Sequence, residues 1–168
     1  HGPTWSNRVF RQVLHEHAGR CRRLAWIDLH SGLGPAGVGD RIFACRDDAA
    51  ALQRARSWWG NGITSIYDGS SASALLTGLM WEAGPQECPQ AQHTGLALEY
   101  GTVPVMDVID ALRADQWLDN HPEAPPDQAR AIKQQTRDAF YTDTDEWKER
   151  IVAQAAEAAI QAVRGLAA

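Results

Sequence analysis

Two short apolar runs, each interrupted by a charged or titratable side chain, constrain this chain more than any other feature. LAWIDLH (24–30) is rich in branched and aromatic residues and is followed by Ser-Gly and the series Gly32, Gly34, Gly37 and Gly39. GLALEYGTVP (95–104) carries Glu99 in the middle of an apolar stretch. Both read as strands, the first entering a glycine-rich loop that needs unusual backbone angles or close approach. RIFAC (41–45) is a third strand candidate.

Helical patterns surround these runs. Thr4 or Ser6 can cap a helix ending near His17, with Trp5, Val9 and Val13 on one stripe widened by Phe10 and Leu14. DDAAALQRARSWW begins with two acids that suit a helix N-terminus. The segment ITSIYDGSSAS reads as a movable loop, 74–81 as either helix or strand, and EAGPQECPQAQ as a surface connection. Beyond Pro104 the chain is helical to about residue 165. Val105, Val108, Ile109 and Leu112 form one apolar face, Ala129, Ile132, Thr136 and Phe140 a second, and Trp147, Ile151 and Ala155 a third. Strands alternating with helices, then helices alone, predict an α/β architecture in which a sheet is flanked by helices. At 168 residues the chain fits one domain or one lobe of a larger one.

Composition narrows the functional classes. The 21 acidic residues outnumber 16 basic ones, leaving net charge −5, the wrong sign for a phosphate backbone. Nucleic acid is therefore not an expected partner. No apolar run is long enough to span a membrane, and three separated cysteines outline neither a disulfide framework nor a closed zinc knot. A reducing, cytoplasmic setting is the expectation. The seven tryptophans argue for burial. The opening HGPTWSNR has neither an initiator methionine nor a leader and reads as the start of a fragment or processed product.

His30 can serve as a metal or catalytic imidazole, or as a satisfied structural residue. Asp28, two places earlier, shares its face in a regular strand and can orient the ring. Glu99 can act as a general base if it faces the same cavity, or pair with Arg41 or Arg46 at a sheet edge. Tyr67 can donate a hydrogen bond to a ligand from its loop. A metal site from Cys88 and His93 would need Cys45 nearby. No serine sits in a nucleophile elbow, and neither a P-loop nor a dinucleotide fingerprint is present.

WIDLHSGLGPAGVG, ITSIYDGSSASALLTGLMW and TGLALEYGTVPVMDVIDALRADQWL together resemble the DUF2817 family, a branch of the zinc carboxypeptidase-like (M14, succinylglutamate desuccinylase/aspartoacylase) superfamily, from about Pro3 to Ile151. The resemblance implies a mixed sheet of the phosphorylase/hydrolase-like, zinc peptidase type. It also implies zinc as the cofactor, and hydrolysis of amide or peptide bonds in peptides or acylated amino acids. By motif, His30 matches the third zinc ligand and Glu99 the general base and acid. Tyr67 corresponds to a mobile substrate-contacting tyrosine and Asp28 to a supporting acid. The family's H-x-x-E motif, source of the other two ligands, does not follow any histidine of this chain. The expectation is thus the C-terminal half of such a domain, incomplete in fold, weak in zinc and inactive alone. It would pair with a missing N-terminal half or self-associate through an exposed apolar face. The alternative is a non-catalytic structural or interaction domain retaining a remnant site.

Overall fold

A computed structural model describes residues 2–168. The elements run α1 (Trp5–Ala18), β1 (Arg23–Ala36), β2 (Gly39–Phe43), α2 (Ala49–Trp59), a 3-10 turn (Met80–Glu82), α3 (Ala83–Glu87), β3 (Gln92–Gly101), α4 (Val105–Asp119), α5 (Pro126–Phe140) and α6 (Asp145–Ala167). The fold is mixed α/β, with helices flanking a three-stranded sheet of order β1-β3-β2.

β3 runs parallel to β1. The Gln92 N–H donates to the Arg22 carbonyl at 2.9 Å near both strand starts, and Gly101 lies against Gly34 and Pro35 near both strand ends. It runs antiparallel to β2, through Ala44 N–H to Gly95 O at 3.1 Å and Gly101 N–H to Val38 O at 3.2 Å. Although β1 and β2 are joined by a turn at Gly37-Val38, they are not neighbours, because β3 lies between them. Gly101 makes this possible: a Cβ there would sit 2.2 Å from the Gly34 and Pro35 carbonyl oxygens.

By contacts the chain divides into two compact units, His1–Asp28 with Ile42–Ala97 and Ala158–Ala168, and Leu29–Arg41 with Leu98–Glu157. In the first, Leu14, Ala18, Ala83 and Cys88 form a buried cluster joined by Phe10, Cys21, Leu24 and Ala91. The Asp48 carboxylate caps α2 by accepting from Ala50 N–H at 2.8 Å. Trp59 Nε1 donates to the Ala158 carbonyl at 2.9 Å. In the second unit, Leu98 and Tyr100 are buried with Val108, Ala111, Ala139 and Trp147. Trp147 Nε1 donates to Gly101 O at 2.9 Å and Thr102 Oγ1 to Ala139 O at 2.6 Å, tying β3 and its exit to α6 and α5.

Several local expectations shift. The glycine-rich segment after His30 is not a loop; β1 continues through it to Ala36, with Gly32 at φ +133° and Gly34 at φ +100°. The connection at 83–91 contains α3 and buries Ala83, Gly84 and Cys88. Of 74–81, only Met80 and Trp81 enter a regular element, the 3-10 turn. Helix α4 turns Val108 and Ala111 inward and leaves Val105, Ile109 and Leu112 exposed. Small Ala111 sets that face, its carbonyl reached by Thr136 Oγ1 of α5 at 3.5 Å. On α1, Phe10, Leu14 and Ala18 face the core, while Trp5 is 72 % exposed. No helix among the described residues is long and apolar enough to cross a membrane.

Candidate functional site

Strand alternation sets which side chains share a face. Leu24, Trp26, Asp28 and His30 form one row of β1, and His93, Gly95, Ala97 and Glu99 one row of β3. Within the first unit, Leu24 and Trp26 of β1 and His93, Thr94 and Gly95 of β3 line one cavity. The opposite row of β3, Thr94, Leu96, Leu98 and Tyr100, is fully buried.

His30 and Glu99 belong to the second unit, on adjacent strands. His30 is exposed and Glu99 half-buried. The Leu33 backbone N–H donates to Glu99 Oε1 at 3.2 Å, so the carboxylate reaches from β3 to a β1 amide between the two positive-φ glycines. Just before it, Ser31 Oγ donates to the Phe140 carbonyl at 2.7 Å. Gly32 faces the Phe140 ring, and a Cβ there would approach Cε1 to 2.7 Å. Ser31, Gly32 and Leu33 are thereby held, while His30 just before them is exposed.

Asp28 and Tyr67 fall in the first unit. Tyr67 is anchored, where sequence suggested a movable loop: its hydroxyl donates to the Cys45 carbonyl at 2.8 Å and its ring meets Phe43 edge-on. Burial raises its phenol pKa above the ordinary value, helped by the nearby charge of Asp47. The adjoining turn is pinned by Asp68, which accepts from Ser70 N–H at 2.9 Å and Ser70 Oγ at 2.5 Å. Arg41, one partner envisaged for Glu99, makes an ion pair with Glu157 at 3.4 Å.

A zinc centre needs at least three protein donors around one point. Among the described residues no group of three or more His, Cys, Asp or Glu side chains could hold a metal ion, so the donor set around His30 does not fit one. The Cys45, Cys88 and His93 combination also fails: His93 Nε2 bonds the Cys88 carbonyl at 3.0 Å, and the Cys88 thiol points to Leu14 O at 3.7 Å. Burial pushes the Cys45 thiol up to about 11.

Sequence reading passed over Arg54 and Trp26. Arg54 Nε donates to Thr94 Oγ1 at 2.8 Å and Nη2 to the His93 carbonyl at 2.7 Å. Trp26 carries a buried indole N–H with no acceptor among the described residues. Nothing in the helical pattern of α2 distinguishes Arg54 from Arg56, and Trp26 reads only as strand hydrophobe.

No curated protein and no solved structure matches the chain. One family model, described as Protein of unknown function (DUF2817), matches residues 1–154, and the chain belongs to that family.

Proposed function

We propose that this chain contributes part of a site for amide or peptide hydrolysis, of the zinc carboxypeptidase-like kind, and that its contribution is His30 and Glu99. The observation that carries this reading is the approach of Glu99 to the β1 backbone at 3.2 Å, immediately beyond the exposed imidazole of His30. A half-buried carboxylate suits a general base that removes a proton from an attacking water and returns it to a leaving amine. For Asp28 as a supporting acid and Tyr67 as a substrate contact, the support is the match of motif alone. Zinc is the metal of the superfamily this chain resembles, but the three-donor requirement is not met by its described residues, and no step is derived through it.

The proposed completion is a further polypeptide segment bearing the H-x-x-E donors, or a second copy. The exposed Val105, Ile109 and Leu112 of α4 offer an apolar surface to either. The substrate class is a peptide or acylated amino acid. The test is to supply a segment bearing the H-x-x-E donors and follow hydrolysis of N-acyl amino acids and short peptides. His30→Ala and Glu99→Gln should each abolish turnover by about 100-fold or more. Unchanged turnover in both would overturn the assignment.

A second reading is favoured by the same contact. The Glu99 carboxylate satisfies an amide where β1 departs from regular strand geometry, which is a structural task. A non-catalytic interaction domain would then show no turnover with such a segment supplied, while still requiring Glu99 for stability.

A further inference from the structure

The first unit contains a cavity of about 430 Å³, within the range of small-molecule sites. None of Asp28, His30, Tyr67 or Glu99 lines it. Its walls combine the indoles of Trp26 and Trp81 with Pro85, Pro89 and Leu24. Its polar groups are mainly donors. Arg54 has five N–H groups, and the two bonds that fix its guanidinium use the one on Nε and one of the two on Nη2, leaving three, the pair on Nη1 and the second on Nη2, for a ligand. Arg46 stands exposed at the margin. The one acid in the lining, Asp48, is engaged in capping α2 through Ala50 and Ala51. Cys45 adds a neutral thiol, since burial holds its proton well into alkaline pH.

We infer that this cavity binds a small monocarboxylate with an aromatic body, its carboxylate on Arg54 and its ring between Trp26 and Trp81. A planar guanidinium matches a carboxylate better than a compact cation does, because two parallel N–H donors can meet both oxygens. One rigid guanidinium suits a single negative charge rather than a dianion. Two indoles on the lining select a flat apolar body over a hydrated one.

The probe is 3-phenylpropionate, titrated into the full 168-residue chain with tryptophan fluorescence and calorimetry as readouts. One-to-one saturation is expected, with 3-phenylpropionamide weaker by about tenfold, the loss of one charge-assisted contact. Arg54→Gln should weaken the acid by a similar factor and erase the difference between acid and amide. Trp81→Ala removes one of the two aromatic walls and should weaken the acid several-fold. Arg113→Gln, an exposed residue on α4, should change nothing. Because Arg54 also ties α2 to β3, Trp81→Ala and the comparison of acid with amide in the unaltered chain keep the test decisive if Arg54→Gln does not fold. Absence of saturation by about 10 mM, or equal affinity for acid and amide, would overturn the proposal.

Discussion

The backbone amide of Leu33 and the carboxylate of Glu99 are joined across adjacent parallel strands by a 3.2 Å hydrogen bond. An amide oxygen can accept the same bond, whereas a methyl group cannot. Glu99→Gln should therefore cost less than Glu99→Ala, which should cost about 1–3 kcal/mol by leaving the amide without its acceptor. Urea denaturation measures both. If Gln proves as destabilising as Ala, charge rather than hydrogen bonding holds Glu99 in place.

Gly32 and Phe140 set the second prediction. A side chain at Gly32 meets two obstacles: φ of +133°, which L-residues rarely adopt, and a ring carbon 2.7 Å from the new Cβ. Gly32→Ala should cost about 2–4 kcal/mol. Gly60, with φ +95° but nothing within 4 Å, isolates the backbone part, and Gly60→Ala should cost about 1–2 kcal/mol. Adding Phe140→Leu to Gly32→Ala should recover part of the difference in a double-mutant cycle. Additive losses would show that the ring is not the obstacle.

These two contacts also show where sequence was informative. The strand character of 24–30 and 95–101 and the helices from 105 onward follow from side-chain periodicity, a local property. The apolar stripe of α5 was placed correctly: Ala129, Ile132, Thr136 and Phe140 are all partly buried. On α4 the stripe was misplaced because burial is decided by how closely α5 can approach, and Ala111 permits that approach where Leu112 does not. Glycines after His30 suggested a loop, since positive φ usually ends a strand. Here pairing with β3 and the Glu99 carboxylate hold the extended path through it. Arg54 and Trp26 were not legible at all, because their partners, Thr94 and the cavity walls, are distant in sequence.

Cys45 supplies a pH-dependent prediction. Burial raises its thiol from 9.0 to about 11, only partly opposed by the hydrogen bond from Gly95 and the Arg54 charge. The folded state thus holds a proton that the unfolded state releases first. Stability from this source is intact below about pH 9 and declines as pH rises toward 11. The full loss is about 2–3 kcal/mol for a shift of this size. Tyr67 and Tyr100 are also raised by burial and act in the same direction, so the comparison must be against Cys45→Ala. Under reducing conditions, the stability advantage of the parent over Cys45→Ala should shrink between pH 8.5 and 10.5, roughly the window between the two thiol values. Parallel curves would show that the thiol is not desolvated in the folded protein.

Asp143 provides the acidic counterpart, on the surface of the second unit. Its carboxylate pairs with Lys148 and, at 3.2 Å, with Arg137, and both cations also stand over the Tyr141 ring. The hydrogen bond from Lys148 is the main cause holding the carboxyl below its ordinary pKa, with Arg137 adding to it. A depressed folded value means that the stabilisation is present above the unfolded carboxylate pKa and disappears as pH falls through the folded one. In Lys148→Gln the Asp143 carboxyl should titrate closer to the ordinary value yet remain somewhat depressed, because Arg137 stays. Raising ionic strength should move the parent protein the same way, since the group is exposed and its partners are screened by salt. Carbon-detected NMR titration of the Asp143 side chain reads both effects, and an unchanged midpoint in Lys148→Gln would place the controlling charge on Arg137 instead.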